Sequence, residues 1–172
     1  MSAAVMNEER KKLVGALFER HADRIFAYVL GILGDASEAS DIVSETFVRA
    51  FAEPRLLSED FNCRAWLFTV ATNLARNHIG RYLRRFLSFS GPDLDLRSSK
   101  VPGVEETFHR NDEFIRLSKA LRAVDQTDRE IVFLKYFEEM SYAEIAKITG
   151  LSESAVGSRL SRAIGRLSNE LK

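Results

Sequence analysis

Apolar residues recur at three- and four-residue intervals along most of this chain, and the pattern breaks in one place only. From Glu8 to Gly34 the repeat is Leu13, Leu17, Phe18, Ile25, Tyr28, Val29, Ile32 and Leu33, the signature of an amphipathic helix. A second helix is predicted from Asp35, a capping residue with Glu38 as its box partner, to the stop at Pro54. Its inward stripe would be Ala39, Ile42, Val43, Phe47, Ala50 and Phe51. A third runs from Arg64 to Arg85, with Trp66, Leu67, Val70, Leu74 and Ile79 inward. Between Leu87 and Asn111 the period is lost amid Ser88, Ser90, Gly91, Pro92, Ser98, Ser99, Pro102 and Gly103, as in a linker. The segment is mildly acidic.

Beyond the break, helical segments are predicted at Glu113 to Val124, from Thr127 with Glu130 as box partner, from Ser141 with Glu144, and from Ser152 to about Leu171. Met140 with Ile145, and Leu151 with Val156, stand in staple positions; Gly150 supplies the left-handed closing residue. The predicted fold class is all-α: two small helical domains, 8–86 and 113–172, joined by a flexible linker, 87–112.

Composition narrows the function. The 25 basic and 25 acidic residues cancel, which argues against a polybasic nucleic-acid coat or membrane binder but leaves local patches open. The single Cys63 excludes an internal disulfide and a multi-cysteine zinc site. The amino-terminal residues have no apolar signal core, and no run nears the ~20 apolar residues of a membrane span. A cytoplasmic protein with no membrane insertion of its own is expected. His21, His78 and His109 are scattered, and there is no nucleophile constellation, paired carboxylate or metal-ligand cluster; no catalytic residue, metal or cofactor is expected.

The last two predicted helices form a helix-turn-helix pattern. In the longer helix Val156, Leu160, Ile164, Leu167 and Leu171 share one arc, and Arg159, Arg162 and Arg166 another, roughly 130° away. No acid falls between Ser154 and Asn169. Three arginines on one face also suit plain solvent exposure. Joined to a capped short helix and a glycine turn, they suit a major groove, with Arg and Ser on phosphates and an Arg forked onto guanine. Gly157 inside that helix should cost about 1 kcal/mol relative to Ala, for close approach to DNA backbone or a neighbouring helix, or as a tolerated residue.

The third helix is also basic: Arg64, Arg76, Arg81, Arg84 and Arg85, with His78 and no acid. Phe61, Trp66, Phe68, Tyr82 and Phe86 lie in or beside it, with Asn73 and Asn77. Charge mixed with aromatics suits single-stranded nucleic acid, although Trp66 and Phe68 suit the core better. The second helix has the opposite sign. Glu38, Asp41 and Glu45 form a row that is either a solvated face or a dock for a basic protein.

With these residues in view, the chain resembles the extracytoplasmic-function sigma factors, which consist of a region-two and a region-four domain around a linker. The resemblance rests on Asp128-Arg-Glu-Ile-Val-Phe-Leu-Lys-Tyr-Phe-Glu-Glu-Met-Ser-Tyr-Ala-Glu-Ile-Ala with Gly150-Leu-Ser and Ser158-Arg-Leu-Ser-Arg-Ala. It also rests on Asp41-Ile-Val-Ser-Glu-Thr-Phe-Val-Arg-Ala-Phe and Arg64-Ala-Trp-Leu-Phe-Thr-Val-Ala-Thr-Asn-Leu-Ala-Arg-Asn. It implies binding of core RNA polymerase and promoter DNA, with an anti-sigma factor as regulator. It implies polymerase contacts at Asp41, Glu45 and Phe47, and minus-ten contacts at Asn62, Arg64, Asn73, Arg76, Asn77, Arg81, Arg84 and Arg85. Minus-thirty-five contacts fall at Ser154, Ala155, Ser158, Arg159 and Arg162, to which the basic face adds Arg166. The linker is expected to thread polymerase channels. Departures from the family pattern are Ser44 for a frequent Gln, Asn77 for a frequent Asp, Gly157 for Lys or Arg, and Asp125 for Pro. A conventional helix-turn-helix regulator would lack a use for the basic third helix; a pure adaptor would lack one for the arginine face.

Overall fold

A computed structural model describes the backbone of residues 3–89 and 124–170 and the side chains of 6–82 and 124–169. The start of the expected linker is corrected, since residues 87–89 continue α-helix; the rest of it, the expected helix from Glu113 up to residue 123, the side chains of Arg84 and Arg85, and Leu171 lie outside the described residues. Among the described residues there are six α-helices, one 3-10 turn and no strand: α1 Ala3–Leu33, α2 Ala36–Ala52, the turn Pro54–Leu57, α3 Cys63–Phe89, α4 Gln126–Tyr136, α5 Tyr142–Thr149 and α6 Glu153–Glu170.

The helix ends follow from local chemistry. Gly34, at φ +72°, closes α1 with its N–H on the Leu30 carbonyl at 2.7 Å. Asp35 caps α2 by accepting from the Glu38 N–H at 3.0 Å. Ser141 and Glu144 cap α5 reciprocally, and Gly150, at φ +76°, ends it. The start of α4 differs from expectation. Its cap is Asp125, not Thr127, and Glu130 is not a box partner but is fully buried beneath the N-terminal half. Asp125 takes the site where the family pattern has Pro, so a fixed φ is exchanged for a side-chain acceptor.

Helices α1, α2 and α3 pack around Ile25, Tyr28, Val29, Ala39, Phe47, Leu67, Phe68 and Ala71. Helices α4, α5 and α6 pack around Ile131, Leu134, Met140, Ile145, Val156, Leu160 and Leu167. The two groups share one continuous core. The buried Tyr28 ring lies 5.4 Å from that of Phe68 and 5.2 Å from that of Phe133, centroid to centroid. Its hydroxyl is bonded to Thr72 at 2.8 Å. Burial pushes the Tyr28 phenol well above its ordinary range, with the Glu130 charge acting in the same direction.

Two inward assignments are corrected. Phe51 is 39% exposed, because the buried stripe of α2 ends at Ala50 and takes in Thr46 instead. Phe18 is half-exposed and lies edge-on to Phe47 at 4.9 Å.

Candidate nucleic-acid and protein interfaces

Three surfaces carry the residues singled out by the sequence. The first is α3. Asn73, Asn77 and Arg81, four residues apart, form one exposed row along it. Asn62, Arg64 and Arg76 are turned instead toward the C-terminal half. Arg76 pairs with Glu130 through two nitrogens and donates a further hydrogen bond, 3.1 Å, to the Thr149 carbonyl at the end of α5. Arg64 donates to the Glu138 carbonyl at 3.1 Å and lies 3.6 Å from the Glu144 carboxylate. Asn62 caps α3 by accepting from the Ala65 N–H at 2.9 Å, while its amide donates to Glu144 at 3.2 Å.

Arg24 of α1 also belongs to this set. It pairs with Glu138 at 3.0 Å and donates to the Phe137 carbonyl at 2.9 Å. Cations at the C-terminal carbonyls of α4 and α5 complement the helix dipoles. Nothing local marked Arg24, since its partner stands more than a hundred residues away. Burial raises the Glu138 carboxyl above its ordinary value, opposed by Arg24 and Arg64. At Arg76 burial works against the charge, and Glu130 outweighs it, so the guanidinium titrates above its usual range.

The second surface is the outer face of α2. Asp41 and Glu45 are exposed, and Glu45 pairs with Arg49 at 2.8 Å. Glu38 leaves the row to meet His78 of α3 at 3.1 Å. Phe47 is not on this face. It is 6% exposed and belongs to the core, so the apolar members of the surface are Val48, 64% exposed, and Phe51. Val48 was legible as the residue that continues the Asp41–Glu45 row by three.

The third surface is α6. Ser154, Ser158, Arg162 and Arg166 are exposed, Ala155 is half-buried, and Val156, Leu160, Ala163 and Leu167 are buried against α4 and α5. Arg159 is engaged within the protein: Nη1 donates to Asp128 at 2.6 Å and to Asp125 at 3.3 Å. Gly157 faces a neighbouring helix, since a Cβ there would meet the Tyr142 ring of α5 at 3.4 Å. That is ordinary contact, so close packing accounts for a small residue without requiring glycine.

Among the described residues no group of three or more His, Cys, Asp or Glu could hold a metal ion. No described helix is long and apolar enough to cross a membrane.

The family described as Sigma-70 region 2 matches residues 17–85, and Sigma-70, region 4, matches 114–167. ECF RNA polymerase sigma factor SigL of Mycobacterium tuberculosis is 31% identical over 156 residues, spanning 90% of this chain and 86% of that protein. RNA polymerase sigma factor CnrH of Cupriavidus metallidurans is 30% identical, spanning 96% of this chain and 90% of that protein. A solved structure of CnrH in complex with the cytosolic domain of CnrY superposes with a TM-score of 0.62 at 27% identity, covering 97% and 95% of the two chains. The sigma factor RpoE of Bartonella quintana, solved with the anti-sigma factor NepR, has the same fold at a TM-score of 0.68 and 24% identity, covering 96% of each chain. With two family domains in order, and relatives of this identity matched over most of their length, the chain belongs to the extracytoplasmic-function RNA polymerase sigma factors.

Proposed function

We propose that this sigma factor joins core RNA polymerase through the outer face of α2, with Asp41 and Glu45 as charged contacts and Val48 and Phe51 as apolar ones. Phe47 supports that face from the core. The exposed α3 row of Asn73, Asn77 and Arg81 meets the unpaired strand of the minus-ten element, with Arg84 and Arg85 continuing the basic helix. Helix α6 enters the minus-thirty-five major groove through Ser154, Ala155, Ser158 and Arg162, with Arg166 at phosphate. The functional units are 8–86, which α3 extends to Phe89, and 113–172, with the linker between them. The chain supplies recognition and opening, polymerase supplies the catalysis, and the work is done in the cytoplasm.

The observation that carries this reading is the separation of charge by surface. A basic single-strand face, a basic duplex-reading helix and an acidic row stand on three different helices of one chain. An ordinary duplex-binding regulator has use for only one of them.

The closed packing of the two halves adds a condition. Asn62, Arg64 and Arg76 are bonded to the C-terminal half, so full use of the α3 surface requires the halves to part. An anti-sigma factor would act by holding the chain in this state; the related CnrH is found in complex with the cytosolic domain of CnrY.

Gel filtration of the chain with core polymerase tests the reading, beside an Asp41→Arg, Glu45→Arg variant. Co-elution of the wild type, lost in the variant, is expected. A folded wild type that elutes apart from polymerase would leave a duplex-binding regulator and return the acidic row to a solvated face.

A further inference from the structure

The N-terminus of α4 brings two carboxylates against the recognition helix. Asp125 caps α4 by accepting from the Asp128 N–H at 3.0 Å, and the same carboxylate accepts from Arg159 at 3.3 Å. Asp128 is nearly buried; it accepts from Arg159 at 2.6 Å and lies 3.9 Å from Arg166. Arg162, three residues further along α6, is paired with no acid among the described residues, and its Nε donates at 3.3 Å to the Ser158 carbonyl of its own helix. The face that reads as one basic stripe in sequence is therefore split. To fork onto a base, Arg159 would have to give up charge-assisted hydrogen bonds to two carboxylates, and those carboxylates repel phosphate.

We propose that Asp125 and Asp128 make Arg159 a positioning residue, which fixes the rotation of α6 on α4 and so aims Ser154, Ser158 and Arg162 into the major groove. This rests on the reading of α6 as the duplex-reading helix and adds what sets its specificity. The residues that α6 buries in its seam with the rest of the C-terminal half are apolar: Val156, Leu160, Ala163 and Leu167. Apolar packing is non-directional and holds two helices together without fixing their relative rotation tightly. A guanidinium bonded to two carboxylates at the edge of that seam has a defined direction. A site built to fork onto base edges tolerates misplacement of only about half an ångström, so Asp125 and Asp128 act on specificity without touching DNA. Arg166 keeps 55% of its side chain exposed and remains available to phosphate.

The test uses the holoenzyme, first to select an upstream element from a randomised duplex pool. Binding of the selected duplex and of a scrambled duplex is then measured across a salt series. Asp128→Asn and Arg159→Ala are each expected to weaken the selected duplex about 10-fold and the scrambled one by less than about twofold, with the salt slope unchanged. The double variant should be no weaker than the worse single one, and Arg159→Lys should recover most of the loss. Asp128→Glu, which keeps the charge and lengthens the reach, should lose discrimination while melting near the wild type. Arg162→Ala should weaken both duplexes and flatten the salt slope by about one. The assignment is overturned if Arg159→Ala flattens the slope by the same amount and weakens the scrambled duplex. It is equally overturned if Asp128→Asn leaves discrimination unchanged or tightens binding. A holoenzyme that forms but selects no upstream element would instead remove the reading of α6, and this assignment with it, before any variant is made.

Discussion

Arg76 of α3 and Glu130 of α4 form the most enclosed ion pair between the two halves of this sigma factor. Glu130 is fully buried, takes two hydrogen bonds from Arg76 and a third, 2.9 Å, from Gln126, while Arg76 retains a 32% exposed side chain. The asymmetry has a consequence. Arg76→Met strands a carboxylate with no route to water, whereas Glu130→Gln leaves a guanidinium that can turn outward. Arg76→Met is expected to cost about 2–4 kcal/mol and Glu130→Gln less than half of that. Urea unfolding of the two variants checks the order; equal losses would mean that the pair is solvated in solution.

Closure should respond to charge at a position outside the proposed contacts. Arg24 is half-exposed and its partner Glu138 is nearly buried. Arg24→Glu places two carboxylates together and should open the halves, raising the radius of gyration in small-angle scattering. Adding Glu138→Arg should restore the compact form. If the single variant scatters like the wild type, the apolar contact through Tyr28 and Phe133 holds the halves without these charges.

The Tyr142 ring sits at ordinary contact distance from where a Cβ on Gly157 would be. Gly157→Ala should therefore gain helix propensity without a clash and stabilise the chain by about 0.5–1 kcal/mol. Gly157→Leu should lose that gain by displacing the ring. Thermal melting of the two variants decides it, and a destabilised Ala variant would show that the helices pack closer than this.

His21 is nearly buried, and its Nδ1 has no hydrogen-bond partner among the described residues. Burial first, then Arg20, Arg24 and Arg64, hold its imidazole below the ordinary value. With the folded pKa lowered, the unfolded chain takes the proton first, so stability falls as pH drops below about 6.5. Glu138, raised by burial, acts in the opposite direction at lower pH. The wild type should lose stability between about pH 7.5 and 5.5, and His21→Gln less. Parallel pH profiles of stability for the two proteins would sink the assignment.

Glu130, Phe47 and Arg159 show where sequence reading succeeds and where it stops. Glu130 stands three residues after Thr127 and so fits a capping box, yet Asp125 is the better placed cap, which frees Glu130 for an arginine 54 residues away. Phe47 was rightly placed on the buried stripe of α2; the resemblance then also assigned it to the polymerase face, and one side chain cannot serve both. Arg159 lay on the basic arc, but an arc says only which way a residue leaves its helix. Whether an acid from another element waits there is decided by packing.

The sequence by itself determined the described helices, most of their caps and the three chemically distinct surfaces. Those depend on period, spacing and composition over a few turns, which a chain carries wherever it goes. Only the tertiary structure decided how each basic face is spent. It turned Arg64 and Arg76 onto the C-terminal half, left Asn73, Asn77 and Arg81 outward, and tied Arg159 to Asp125 and Asp128. A charge acts on whatever lies within a few ångströms of it, and at these sites the neighbour comes from another helix, so the pairing exists only once the helices have packed.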